Sequence, residues 1–332
     1  MNPEIEVISI GASRLFENSW VFQELLFLGI TTFTQSVIDE NLEIFRSMLE
    51  KNSNQVFCIG GSDHFKEIAA EFPDKMILWL PDDLQKIKSK FYSRRMHFFL
   101  LLEDQLKEVI QTSSQVEVHV YSWEDKVSVV MTSASEESLE AEVLNLRSRF
   151  LSYEIQCQSG SVALALQETL IKQGKTVSFA ESCTGGLLSH LMTSNAGCSN
   201  CFLGSFITYS NAFKQDTLGV KKETLIQYGA VSAQVVEEML SGVLALSGAD
   251  FSVAISGVAG PEGGTENTPV GTVWFAIGKK GELPEVGVLQ IMGNRKRIIS
   301  LTSYRILALL YRKVHYGLSI DNWSDPRYFK KI

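Results

Sequence analysis

The alternation of apolar and polar positions is most regular in the second half of the chain. Ser161 to Gln173 carries apolar residues at helical spacing and stops at Gly174, and Thr176 to Ala180 is a short run rich in β-branched and aromatic side chains, which predicts a buried strand. Glu181 to Gly186 follows as a tight loop into a helix that begins near Gly186 and turns Leu187, Leu188, Leu191 and Met192 to a core. Phe202 to Tyr209 predicts a strand. Ser232 is placed to cap a helix reaching Ser247, in which Val235, Met239, Val243 and Leu246 share a face and Gly248 supplies the stop. Phe251 to Ile255, Thr272 to Ile277 and Val286 to Met292 predict strands, and Arg295 to Lys313 a closing helix.

The first half repeats a looser version of this rhythm. Strand-like Glu6 to Ile10 leads through Gly11 to a helical stretch, Trp20 to Leu28, and a turn at Gly29. A second strand, Thr31 to Val37, a helix around Asn41 to Glu50, and a third strand, Gln55 to Ile59, ending in Gly60 and Gly61, complete the pattern. Alternating strands and helices at this spacing predict a parallel sheet with helices on its faces. A polar, less patterned stretch through Pro81, Asp82 and Lys86 to Lys90 separates it from Val116 to Val120 and Lys126 to Met131, which alternate like paired strands, and from the amphipathic helix Glu136 to Phe150. Glu154 to Ser159 reads as a linker. The expected fold class is α/β throughout: a first domain at 1–95, a small α+β middle module at 96–155, a C-terminal α/β domain at 156–315 and a tail at 316–332.

Composition narrows the function. The net charge of −8 over 332 residues argues against a broad nucleic-acid footprint, so no nucleic-acid partner is expected. The densest apolar run, Phe98 to Leu102, is too short to span a membrane and sits beside Arg94 and Arg95, while Met1 to Ile10 carries Glu4 and Glu6 and no basic leader. A cytoplasmic location without membrane attachment is expected. Five cysteines, Cys58, Cys157, Cys183, Cys198 and Cys201, are too few and scattered for a disulfide framework. Cys198 and Cys201 have CxxC spacing, but no second ligand pair accompanies them and His190 has no matching partner, so they read as structural. His64, His97, His119 and His315 show no metal-ligand spacing either, and no metal is expected.

Three segments concentrate reactive groups, each directly after a predicted strand. The first, ESCTGG, offers Glu181, Ser182, Cys183, Thr184, Gly185 and Gly186 at a helix start, where backbone N–H groups attract anions and glycines allow close approach. The same run also serves simply to cap a helix. The second, YSNAFK, supplies Tyr209, Asn211 and Lys214 at a strand terminus. Lys214 is a candidate base for Ser182 if it is neutral, which burial and a neighbouring cation such as Arg295 would favour; the ordinary fate of such a lysine is a solvated surface. The third, SGVAGPEGG, brings Ser256, Gly257, Gly260 and Gly264, and its glycine content fits either a backbone that passes close to a ligand or a flexible surface loop. Arg295, following Gly293 and Asn294, is a candidate phosphate clamp, although exposure on a helix is its default. Loops at the carboxyl ends of strands in an open α/β sheet converge on ligand sites, and this common placement joins the three.

The ordered set AESCTGG, TYSNAFK, GAVS, SGVAGPEGG and PVGTVWFAIG resembles the C-terminal domain of the CinA family, the nicotinamide-nucleotide amidases, over roughly Ser159 to Leu310. The resemblance implies a Ser182 nucleophile, a Lys214 partner and supporting roles for Tyr209, Ser256 and Arg295. It also implies nicotinamide mononucleotide as substrate, no cofactor, and a homodimer. The family's first domain resembles the molybdopterin-binding fold and in many members hydrolyses ADP-ribose with a divalent metal. SIGAS, LGI and IGG keep that frame here, but Ser62, Asp63, His64 and Phe65 replace the family's LGPT-type stretch and paired acids, and Ser13 stands where an acid is expected. Asp82 and Asp83 follow Pro81 in a different context. A hard cation would lack its oxygen ligands, so the first domain is expected to be a degenerate scaffold. The two rival readings are an ADP-ribose pyrophosphatase in that domain and a noncatalytic, competence-associated binding protein.

Overall fold

The computed structural model describes residues 5–10, 33–38, 49–50, 55–59, 67, 69–71, 76–80, 92–101, 103–110, 115–123, 126–157 and 159–320. The chain divides into two compact units, one of 1–95, 106–121 and 129–149, the other of 96–105, 122–128 and 150–332.

In the first unit, strands β1 (Ile5–Ile10), β2 (Phe33–Ile38), β3 (Gln55–Ile59) and β4 (Met76–Leu80) form a parallel sheet in the order β2-β1-β3-β4. The parallel arrangement follows the alternation read from the sequence, while β4, the run MILWL, lies in a stretch where no strand was expected. The helix expected at Trp20 to Leu28, the turn at Gly29, most of the helix around Asn41 to Glu50, and Ser13, Ser62, Asp63, His64, Asp82 and Asp83 lie outside the described residues. A separate three-stranded sheet orders β5 (Tyr92–Phe99), β6 (Glu117–Trp123) and β7 (Lys126–Ser133) as β5-β7-β6. It is accompanied by helices α1 (Glu103–Lys107) and α2 (Glu136–Phe150), the latter with the bounds that its amphipathic pattern predicts.

The second unit holds a five-stranded sheet in the order β12-β11-β10-β8-β9, built from β8 (Val177–Glu181), β9 (Phe202–Ile207), β10 (Phe251–Gly257), β11 (Thr272–Lys279) and β12 (Glu285–Gln290). The three strands that precede the reactive segments, β8, β9 and β10, are neighbours and parallel, so their carboxyl ends open on the same edge of the sheet. β11 and β12 continue antiparallel.

Side-chain size differs between the two faces of this sheet. On one face Phe179, Val253 and Phe275 pack with Leu166 and Leu170 of α3 (Val162–Gln173) and Leu307 and Leu310 of the closing helix, Arg295–Tyr316. On the other face Ala180, Ala254 and Ala276 stand in register across three strands, and the helix Ala233–Ser247 lays Val236, Met239, Leu240 and Val243 over them. Alanines keep that helix close: a Cβ on Gly278 of β11 would meet Leu240 Cδ2 at 2.7 Å. The helix ends follow from their sequence signals. Ser161 accepts from Leu164 N at 3.2 Å and Ser232 from Val235 N at 3.4 Å, while Gly174 and Gly248 close the same helices in the left-handed conformation.

Candidate active site

After β8 the chain turns at Ser182 to Gly186 into helix α4 (Leu187–Thr193). Gly185 and Gly186 take φ of 61° and 98°, a region that a side chain strains, and Gly185 N donates to Ser182 O at 3.1 Å. Glu181 fixes this turn from beneath. Its fully buried carboxylate accepts from Thr184 Oγ1 at 2.8 Å, Gly186 N at 3.0 Å and Leu188 N at 3.2 Å through one oxygen. The other oxygen accepts from Ser189 N at 3.0 Å, Ser189 Oγ at 2.6 Å and Ser205 Oγ at 3.4 Å. The carboxylate thus neutralises the exposed donors of a helix start and clamps β9 to it.

Lys214 does not sit at a strand terminus, as the sequence suggested, but on helix α5 (Asn211–Leu218), whose first turn Ser210 caps by accepting from Phe213 N at 3.1 Å. α5 lies against the helix Ala233–Ser247 at Gly242, where an added Cβ would stand 2.2 Å from Leu218 O. This close approach leaves Lys214 only 1% exposed. Its Nζ is hydrogen-bonded to Ser182 Oγ at 2.8 Å and donates to Thr208 O at 2.8 Å. Burial pulls the amine down from its ordinary 10.5 to about 8, the nearby Cys183 opposing the shift. The sequence reading gave Arg295 a share in this lowering; burial is the cause, and Arg295 acts instead on Cys183.

Cys183 is also enclosed. Burial pushes its thiol up to about 12, an effect that Lys214 and Arg295 reduce and Glu181 augments. Ser182 is therefore the hydroxyl with an amine at hand, and the adjacent thiol is held protonated.

Across the mouth, Arg295 at the start of the closing helix donates to Gly260 O at 2.8 Å and to Tyr209 Oη at 2.9 Å, tying the segments after β9 and β10 together. Among the described residues it pairs with no carboxylate. Tyr209 is 61% exposed and stands at the opening.

Ser182, Cys183 and Lys214 are thus gathered in one place, and Tyr209, Gly260 and Arg295 are linked to one another. Other expected ligand-binding residues turn elsewhere. Glu181 and Thr184 are consumed in the helix cap, and Ser256 is buried and donates to Ala230 O at 2.7 Å, which explains its pairing with the GAVS segment. Gly257 makes room for its neighbour strand, where a Cβ would meet Val273 Cγ2 at 2.8 Å, and Gly264 lies in the exposed outer loop. Asn211 opens α5 on the surface. The sequence reading missed Thr208, whose carbonyl holds Lys214, and Ser189 and Ser205, which hold Glu181; Thr208 stands in the TYSNAFK segment, but no sequence signal separates its carbonyl from any other. Cys198 and Cys201 are buried free thiols in the core, Cys201 Sγ donating to Cys198 O at 3.6 Å. Among the described residues no group of three or more His, Cys, Asp or Glu could hold a metal ion, and no helix is long and apolar enough to cross a membrane.

Residues 160–314 match the family described as CinA C-terminal domain. A CinA-like protein of Thermotoga neapolitana is 37% identical over 238 residues, 69% of this chain and 56% of that protein. The chain thus spans little more than half the length of this curated relative. The nicotinamide-nucleotide amidohydrolase PncC of Enterobacter agglomerans is 47% identical over 137 residues, 41% of this chain and 84% of that protein. A crystal structure of a competence-damaged protein (CinA) superfamily member from Klebsiella pneumoniae aligns with 36% identity and a TM-score of 0.45, covering 47% of this chain and 96% of that one.

Proposed function

The chain belongs to the CinA family, and from that premise we propose that its second unit hydrolyses nicotinamide mononucleotide to nicotinic acid mononucleotide and ammonia. The observation that carries this reading is the enclosed Lys214 amine 2.8 Å from the Ser182 hydroxyl, with no carboxylate among the described residues to keep it charged. The neutral amine takes the Ser182 proton as Oγ bonds to the carboxamide carbon. Gly185 and Gly186 spend their N–H groups on Ser182 O and Glu181, so the oxyanion is assigned to the N–H groups of Cys183 and Thr184. Lys214 then returns the proton to the amide nitrogen, the C–N bond breaks, and ammonia leaves. Water resolves the acyl-enzyme by the same base. No cofactor takes part.

The substrate assignment leans on the relative's name and on Arg295. Among the described residues its guanidinium is engaged only by neutral acceptors, so its charge is available to a phosphate, and Tyr209 beside it lines the approach. A coupled ammonia assay with nicotinamide mononucleotide tests the reading. Turnover is expected, with kcat/KM rising with pH through about 8 as Lys214 loses its proton. Ser182→Ala is expected to stop ammonia release while changing fold stability by no more than about 1 to 2 kcal/mol; turnover that survives this substitution refutes the nucleophile.

A further inference from the structure

Lys214 is held at one carbonyl, and the residue that owns this carbonyl has a second oxygen to offer. Thr208 follows β9 directly, is completely buried, and its Oγ1 finds no hydrogen-bond partner among the described residues. Its backbone is fixed on both sides: Thr208 N donates to Glu181 O at 2.9 Å, and Thr208 O accepts from Lys214 Nζ at 2.8 Å. With the bond from Nζ to Ser182 Oγ, the residue after Glu181, these contacts close a ring in which the β8–β9 register sets the distance between nucleophile and base.

A neutral amine has two N–H groups and a lone pair. In the uncharged state the lone pair faces Ser182, one N–H serves Thr208 O, and the second N–H has no acceptor among the described residues. Once the amine has taken the serine proton, that proton faces the reacting atoms, one N–H stays on Thr208 O, and the remaining N–H, now part of a cation, calls for an acceptor more strongly. A buried hydroxyl without a partner is costly to keep unless another state of the molecule uses it. Both oxygens belong to one residue, so Oγ1 is carried on the same backbone that already holds the amine at its carbonyl.

Building on the Ser182–Lys214 reading, we propose that Thr208 is a positioning residue for the reaction, its carbonyl aiming the Lys214 lone pair at Ser182 and its hydroxyl accepting the remaining N–H, most strongly once the amine has become an ammonium. The stabilisation is larger for the ammonium than for the neutral amine, so it grows as the charge forms and accelerates the step; the same contact supports the resting ammonium at low pH and so also sets the acidic limb. Among the ionisable groups near Lys214, the Cys183 thiol acts on it directly, and Glu181 and Arg295 act on that thiol. The helix Ala233–Ser247, packed against α5, buries only apolar side chains.

The test compares Thr208→Val, which removes the hydroxyl and keeps the shape, with Thr208→Ser, which restores it. Two rates are followed across pH: ammonia release from nicotinamide mononucleotide, and covalent labelling of Ser182 by a fluorophosphonate. Thr208→Val is expected to lower kcat and the labelling rate by about tenfold with KM unchanged. Its acidic limb is expected to move to lower pH, because the ammonium has lost an acceptor; Thr208→Ser is expected to recover both. Loss of packing alone would leave the limb in place. A valine variant with the rate and limb of the parent overturns the proposal. Labelling that depends on Thr208 without ammonia release supports the proposal and rejects only the substrate, whereas a parent protein that labels at no pH rejects both readings.

Discussion

Glu181 and Lys214 each bury an ionisable group next to Ser182, and the protein surrounds them in opposite ways. The carboxylate is met by backbone N–H groups of Gly186, Leu188 and Ser189 and by the hydroxyls of Thr184, Ser189 and Ser205. Among the described residues the amine has a hydroxyl and one carbonyl, and no opposite charge. A fully hydrogen-bonded buried charge builds structure, whereas an under-compensated one stays ready to lose its charge and do chemistry. The contrast separates a cap from a candidate base even though both residues lie within short runs of polar sequence.

Replacing the base breaks the comparison most sharply. Lys214→Met is expected to cut turnover by about 10² to 10⁴-fold, and Lys214→Arg to do no better because guanidinium keeps its proton. At pH 7 the methionine variant is expected to unfold at a higher temperature than the parent, by about 1 to 3 kcal/mol in stability. The sign follows from a folded value near 8 against an ordinary 10.5: the unfolded chain binds that proton more tightly, so the penalty is full below about 8 and fades as pH rises toward 10.5. A methionine variant destabilised at pH 7 would show that the amine is well solvated.

Glu181→Gln tests the other side. The amide sets a donor against donors, and a loss of about 2 to 4 kcal/mol in thermal unfolding is expected; unchanged stability would mean that the cap carries little energy. Gly242→Ala separates placement from chemistry, because its Cβ would press on Leu218 O and shift α5 with Lys214. A loss of about 1 to 3 kcal/mol is expected, with kcat falling by about tenfold or more. The smallest effect is expected for Cys183→Ala, which should keep activity within about threefold, since burial holds the thiol up to about 12 and leaves no thiolate to attack. Abolished turnover there, with Ser182→Ala still active, would transfer the nucleophile to sulfur.

Much of the second unit was legible in the chain. Ser161 with Gly174 and Ser232 with Gly248 mark their helices because capping chemistry is local. The convergence of three loops was also legible, since alternating strands and helices dictate parallel strands with a common open edge. What escaped depends on direction and distance. Ser210 and Gly219 do bracket α5, yet the eight residues between them carry too weak a stripe to announce a helix. Glu181 reads as part of a ligand loop until Ser205, 24 positions away, is seen to meet it. Ser256 turns to Ala230 for the same reason: only the packed strands decide which way a hydroxyl faces. In the first unit MILWL was overlooked because a short apolar run without alternation resembles many things.

The outer part of the loop after β10, Glu262 to Asn267, stays exposed while its base is pinned, at Gly260 by Arg295 and at Gly271, where a Cβ would stand 2.0 Å from Ile291 O. The spacing of Ser182 and Lys214 is set by another pair of strands, β8 and β9, so the arc and the pair are carried on separate pieces of chain. An insertion or exchange in the arc is therefore expected to leave the contact between the hydroxyl and the amine in place.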